Sequence, residues 1–251
     1  MNLNLSGKTA IITGSSRGIG KSIAKTLIAE GCNVVINGRK NSDLKKAQNE
    51  LGKDVKTFAG DVSDLKICKS LVKFTIKTFG KLDFLVCNVG SGKSVAIGKE
   101  TPQEWNRMLS LNLSSVTNMI RPSIPYLEKS NGAIVCISSI TGIEFLGAPV
   151  AYAASKAALN NFVKSYSRFL GCKGIRINVV APGNILFDGS VWQTKLKKNP
   201  KQVRHFIKNE VSLSRLGKPE EIANLVVILG SEISSFVTGS IIVIDGGQTR
   251  S

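Results

Sequence analysis

The chain alternates short, continuously apolar runs with longer segments of helical periodicity, and this alternation restricts the fold more than any other feature. Thr9 to Thr13, Asn33 to Asn37, Val55 to Ala59, Leu82 to Asn88, Ala133 to Ser138, Arg176 to Ala181 and Ile241 to Asp245 read as seven strands. After the first of them Ile19, Ile23, Ala24, Leu27 and Ile28 recur at helical spacing. Strands that are apolar on both sides of the pleat need cover on both faces, and crossover helices supply it. The expectation is one α/β domain over residues 1–251, a doubly wound parallel sheet with helices on both faces. Ligand sites in such a sheet lie at the carboxyl ends of the strands.

Composition agrees with a single core. The 251 residues are 42% hydrophobic, which excludes a disordered chain. The formal charge of +17 permits a nucleic-acid surface, but there is no zinc-ligand pattern and the motifs point elsewhere. Solvated helix faces account for most of the lysines; attraction of anionic substrates or of an acidic carrier protein is the weaker reading. The five cysteines, Cys32, Cys68, Cys87, Cys136 and Cys172, are odd in number and lack metal-ligand spacing. They fit a reducing, cytoplasmic setting with no metal. Met1 to Lys8 carries no long apolar stretch, and no run reaches transmembrane length, so no membrane partner is expected.

The first strand runs into Thr13-Gly14-Ser15-Ser16-Arg17-Gly18-Ile19-Gly20. Gly14 permits a tight turn, Gly18 and Gly20 permit close approach of backbone, and a helix opening near Gly18 aims free N–H groups at a pyrophosphate. A structural glycine turn is the plain alternative. The second strand ends in Asn37-Gly38-Arg39-Lys40, where a carboxylate would otherwise hold ribose hydroxyls. A guanidinium at Arg39 suits a 2′-phosphate, and Arg17 reaches the same region, so the pattern favours NADP(H) over NAD(H); otherwise Arg39 is simply exposed at a helix start. Ser15 and Ser16 offer hydroxyls. Asp61, with Val62 beside it, can accept from the adenine amino group, while Asp64 reads as a helix cap. Asn88 and Gly90 end the fourth strand, where backbone must pass close to the ribose.

A second constellation lies beyond the fifth strand. Tyr152 and Lys156 are spaced to share one face of a helix, and Ser139 ends the preceding strand. An ordinary phenol is a poor base at neutral pH, but a nearby ammonium lowers its pKa. Tyr152 can then give a proton in carbonyl reduction and take one in alcohol oxidation. Ser139 can bond the substrate oxygen, Lys156 can also hold the nicotinamide ribose, and Asn112 can support a water relay toward Lys156. Tyr-x-x-x-Lys alone recurs by chance; its company with Ser139 and the glycine loop makes it informative. His205, the only histidine, sits among charged residues and is not read as catalytic. Gly183 to Leu216 is the least regular region, either a lid over the substrate (184–216) or an ordinary helical excursion.

Across essentially its whole length, to Asp245-Gly246-Gly247, the chain resembles the classical short-chain dehydrogenase/reductase family, broadly the 3-oxoacyl-[acyl-carrier-protein] reductases. The resemblance implies a Rossmann fold, cofactor glycines at Gly14, Gly18 and Gly20, a catalytic tetrad of Asn112, Ser139, Tyr152 and Lys156, and a homotetramer. It implies a small carbonyl or alcohol substrate, with acyl carrier protein as a candidate partner and a sugar, polyol or small ketone as the alternative; a catalytically silent scaffold is the third reading. Two departures stand out. The family's Asn-Asn-Ala-Gly is Cys87-Asn88-Val89-Gly90 here. After Pro182-Gly183 the threonine that meets the carboxamide is replaced within Asn184-Ile185-Leu186-Phe187-Asp188-Gly189-Ser190, leaving Ile185 backbone for that contact and Asn184 or Ser190 as substitutes.

Overall fold

The computed structural model describes residues 2–250. Strands β1 (Thr9–Ile12), β2 (Asn33–Gly38), β3 (Lys56–Ala59), β4 (Phe84–Cys87), β5 (Ala133–Ile137), β6 (Arg176–Pro182) and β7 (Ile241–Ile244) form one sheet in the order β3-β2-β1-β4-β5-β6-β7. Every neighbouring pair is parallel; Ile11 faces Val35 on one side and Leu85 on the other. Each strand but the last is followed by a crossover to the next, so helices cover both faces. They are α1 (Gly18–Ala29), α2 (Asn41–Leu51), α3 (Leu65–Phe79), α4 (Pro102–Leu109), α5 (Ser115–Lys129), α6 (Val150–Gly171), α7 (Val191–Lys198), α8 (Pro200–Glu210) and α9 (Pro219–Gly230).

The strand period of two sorts the apolar residues between the faces. Ile12, Ile36, Val86, Val135 and Val180 pack with Ile23 and Leu27 of α1 and Val226 of α9. The intervening Ile11, Val35, Leu85, Cys136 and Val179 pack with Leu71 of α3, Met119 of α5 and Leu159 of α6. Each large side chain buried this way contributes about 1.5–3 kcal/mol.

The expected strands are all present, with small shifts at their ends. β4 is shorter than the apolar run because Leu82 and Asp83 precede it. Asp83 instead uses its carboxylate, whose Oδ2 accepts from the Thr9 amide at 2.8 Å, to tie the entry of β4 to β1. Asp64 caps α3 by accepting from the Lys66 amide at 2.7 Å. Between α4 and α5 lies a π-helical turn, Ser110–Ser114, that periodicity does not reveal. Among the described residues no helix is long and apolar enough to cross a membrane, and no cluster of His, Cys, Asp or Glu could hold a metal ion.

Candidate active site

β1 pairs with β2 on one side and β4 on the other, and the chain leaves these strands in opposite directions. Such a switch point opens a crevice at the carboxyl ends. A cavity of about 970 Å³ lies there. It runs from the β2 and β3 ends, past β4 and β5, to the segment after β6.

The glycine-rich turn forms one wall. Gly14 has φ +62° and Gly18 φ +57°, in the left-handed region that glycine tolerates. Gly20 is excluded from change by contact: a Cβ there would stand 2.5 Å from Asn88 Nδ2 and 2.6 Å from the Gly14 carbonyl. Arg17 precedes α1 and gives it no side-chain cap, which leaves first-turn amides without a side-chain partner at this end of the cavity. Asn88 holds the turn in shape, its Nδ2 donating to the carbonyls of Thr13 at 3.0 Å and Gly14 at 2.9 Å.

Gly14, Ser16, Arg17, Ile19 and Arg39 line this end of the cavity. Ser15 does not. It is buried, its hydroxyl donating to the Ile12 carbonyl at 2.6 Å and accepting from the Asn37 amide at 3.0 Å, so the hydroxyl expected to face a ligand instead fastens β1 to β2. Asp61 and Val62 line the wall at the end of β3. Asp61 Oδ1 accepts from the Ser63 amide at 3.0 Å and from its hydroxyl at 2.8 Å. The described lining contains no other carboxylate.

Ser139, Tyr152 and Lys156 come together at the β5 end of the same cavity. Ser139 follows β5, and α6 carries the other two on one face. Lys156 is buried and donates from Nζ to the Ile137 carbonyl at 2.8 Å. Burial pushes its pKa down to about 8. Burial raises the Tyr152 phenol above its ordinary value, against a lowering pull from the Ser139 and Thr141 hydroxyls. The expectation of a phenol lowered by its lysine is therefore reversed, because desolvation outweighs the stabilising contacts. Tyr152 is only half-buried, so solvent moderates that rise.

Asn112 sits behind this group, fully buried in the π-helical turn. Its Oδ1 accepts from the Ser91 amide at 3.0 Å, and its Nδ2 donates to the Met108 carbonyl at 3.1 Å. A Cβ added at Gly90 would lie 2.9 Å from Asn112 Oδ1 and 3.0 Å from Lys156 Nζ. Gly90 thus lets the two polar groups converge. Thr141 was not singled out in the sequence; its hydroxyl donates to Ser139 Oγ at 3.0 Å, and its only signal is its place just after Ser139.

Pro182, Gly183 and Ile185 line the far wall. Asn184 and Ser190, the substitutes expected for the missing threonine, line the cavity as well, each with a hydrogen bond of its own. Asn184 Nδ2 donates to Gln248 Oε1 at 2.6 Å. Ser190 caps α7, its Oγ accepting from the Gln193 amide at 3.1 Å. Phe187 also lines the cavity and packs against the glycine-rich turn, its ring 2.6 Å from where a Gly18 Cβ would stand. Trp192, Lys195, Lys198 and Phe206, from α7 and α8, complete this end of the cavity. They fall within 184–216, the segment the sequence offered as a lid, but which of its side chains face the cavity becomes visible only in the folded α7–α8 pair. His205 on α8 is exposed, hydrogen-bonds through Nε2 with Asn209 Nδ2 at 2.9 Å and does not line the cavity.

A family model described as enoyl-(acyl carrier protein) reductase matches residues 14–249. The 3-oxoacyl-[acyl-carrier-protein] reductase FabG of Thermotoga maritima is 34% identical over 251 residues, covering 98% of this chain and 99% of the relative. The crystal structure of L-sorbose reductase from Gluconobacter frateurii, complexed with NADPH and L-sorbose, superposes with a TM-score of 0.94 at 30% identity and covers 100% of both chains. An NADPH-bound short chain oxidoreductase from Pseudomonas aeruginosa PAO1, described as containing an atypical catalytic center, gives a TM-score of 0.91 at 28% identity over 97% of each chain.

Proposed function

Because the chain belongs to the classical short-chain dehydrogenase/reductase family, we propose that it is an NADP(H)-dependent oxidoreductase interconverting a carbonyl and an alcohol on a small free substrate, a sugar, polyol or ketone. The observation that carries this reading is the convergence of Ser139, Tyr152 and Lys156 on one cavity with the glycine-rich turn. The NADPH-bound relatives support the cofactor. So does the chain itself: Arg17 and Arg39 line the adenosine end, and no carboxylate stands at the end of β2. Guanidinium groups there suit a 2′-phosphate. Asp61 keeps Oδ2 for the adenine amino group beside Val62. The uncapped start of α1 suits the pyrophosphate, and Gly90, Pro182, Gly183 and Ile185 flank the nicotinamide end.

When bound, NADPH supplies the hydride. The protein's own part is to place and protonate the carbonyl. Ser139 Oγ bonds the carbonyl oxygen, and the Tyr152 phenol gives its proton to that oxygen as negative charge develops. The Lys156 ammonium stabilises the phenolate that remains; one of its three donors is spent on Ile137, leaving two for this work and for a ribose hydroxyl. Asn112 keeps the Ser91 backbone in place behind the lysine and lies where it can support reprotonation through water. Residues 184–216 cover the substrate end.

A free substrate is favoured by the similarity to L-sorbose reductase and by the aromatic and lysine side chains where the family's threonine loop would stand. A 3-oxoacyl group on acyl carrier protein is the second reading, favoured by the identity with the FabG relative. The test is oxidation of NADPH, and separately of NADH, with free ketones, ketoses and a short 3-oxoacyl thioester, beside Tyr152→Phe. Turnover that prefers NADPH and falls about 10³-fold in the variant is the expected result. Unchanged turnover in Tyr152→Phe removes the proton-donor role, and selective use of the thioester returns the carrier-protein reading.

A further inference from the structure

The cavity lining holds more positive charge than the cofactor and the proton transfer use. Arg17 and Arg39 belong to the adenosine end and Lys156 to the chemistry. Lys195 and Lys198 remain, and among the described lining residues Asp61, at the end of β3, is the only carboxylate.

The α7–α8 pair explains how they come to be there. Trp192, Lys195 and Lys198 follow one another at three-residue steps and share a face of α7. That face forms part of the cavity wall. Trp192 stacks on Phe206 of α8 with ring centroids 5.2 Å apart, which fixes the indole. Lys195 Nζ lies 4.5 Å from the Trp192 ring centroid, so the ring holds the ammonium at the cavity mouth. None of the ion pairs among the described residues uses Lys195 or Lys198. The nearby carboxylate of the segment, Asp188, instead accepts from Gln193 Nε2 at 2.7 Å.

We propose that Lys195 and Lys198 are specificity-determining residues for a carbonyl substrate that carries its own anionic group, a carboxylate or phosphate, with the Trp192–Phe206 pair packing on its apolar portion. This rests on the oxidoreductase reading and narrows it. Two exposed ammonium groups on the cavity wall, without a carboxylate partner in any described ion pair, attract an anion into the cavity. An ammonium serves carboxylate and phosphate alike, as a point charge.

Two measurements test this. In the first, kcat/KM is compared within matched pairs, levulinate with methyl levulinate and dihydroxyacetone phosphate with dihydroxyacetone. The wild-type protein should prefer the anionic member by about tenfold, the size of one charge-assisted contact at a partly exposed site, expressed in KM. Lys195→Gln/Lys198→Gln should abolish the preference, and Lys201→Gln, on the same helical pair but outside the cavity lining, should retain it. Which pair shows the larger preference tells carboxylate from phosphate.

The second measurement needs no turnover. The chain has two tryptophans, so Trp105→Phe leaves Trp192 as the sole indole reporter. Hexanoate should change its emission saturably, with hexanamide about tenfold weaker, and the lysine double variant should erase that difference. Equal use of both members of each pair, or equal binding of hexanoate and hexanamide, overturns the inference while leaving the oxidoreductase reading intact. Anion-selective binding without turnover of any carbonyl overturns the oxidoreductase reading and, with it, the assignment of a carbonyl substrate, and leaves only an anion site at these lysines. Turnover of a carrier-linked thioester with no anion preference among free substrates also overturns it.

Discussion

Lys156 lies buried between the end of β5 and the turn at Gly90, and its environment disfavours its own charge. Its pKa is held down to about 8 by desolvation, while Tyr152 is raised above its ordinary value. The sign of the pH dependence follows. Below about pH 8 the lysine is an ammonium and the tyrosine a neutral phenol, the pair that the proposed proton transfer requires. As pH rises through 8 the ammonium is lost first. The kcat/KM for reduction should therefore be level below that point and fall about tenfold per pH unit above it. Lys156→Arg, whose guanidinium does not deprotonate in this range, should remove the falling limb even if activity is lower throughout. A profile that stays level to high pH would show that the lysine charge is not needed. That Tyr152, Lys156 and Ser139 share one cavity could be anticipated from the sequence, since the proposed chemistry needs those types at that spacing. The direction of the tyrosine shift could not, because it depends on burial.

Among the elements, β6 and α9 depend on one partly buried side chain. Arg176 at the start of β6 donates from Nη1 to the Leu229 carbonyl at 2.8 Å and to Ser234 Oγ at 3.0 Å, and from Nη2 to the Ser231 carbonyl at 2.8 Å. Two of these acceptors are at the carboxyl end of α9, where carbonyls lack partners and a cation is favoured. Arg176→Met keeps much of the bulk and removes every donor; it should cost about 2–4 kcal/mol, read as a lower denaturant midpoint with little change in slope. A change below ~0.5 kcal/mol would mean that water replaces the guanidinium without loss.

Elements differed in how far they could be read in advance. The strands were plain because both faces are buried, so Ile134 to Cys136 or Val179 to Ala181 carry no polar alternation to confuse with a surface strand. The π-helical turn at Ser110–Ser114 was not, since its extra residue leaves no mark in an apolar pattern that continues from α4 into α5. Nor was the inward face of α7. Trp192 and Lys195 look like any surface pair until α8 places Phe206 against the indole.

For the whole molecule the dominant number is the charge, +17 from 34 basic and 17 acidic side chains. The 17 acidic side chains can pair with only half of the 34 basic ones, and like charges spread over one surface destabilise the compact state. Screening should relieve that repulsion over distances near the Debye length, about 10 Å at 0.1 M salt. The thermal midpoint should thus rise by several degrees from very low to moderate sodium chloride. A midpoint that falls with salt would mean that attractive pairs such as Arg215 with Glu221, whose atoms approach to 2.6 Å, outweigh the repulsion.

The bonds from Asn88 to Thr13 and Gly14 also bear on how the molecule comes into being. The turn that begins at Gly14 is held by an amide 74 residues further along the chain, and the Thr13 amide is taken up by Val86 at the end of β4 at 3.0 Å. A growing polypeptide that has not yet reached β4 carries the glycine-rich sequence without the contacts that shape it. Nucleotide capture on the ribosome must therefore wait until the fourth strand has emerged and docked beside the first, so the cofactor can act as a folding ligand only late in synthesis.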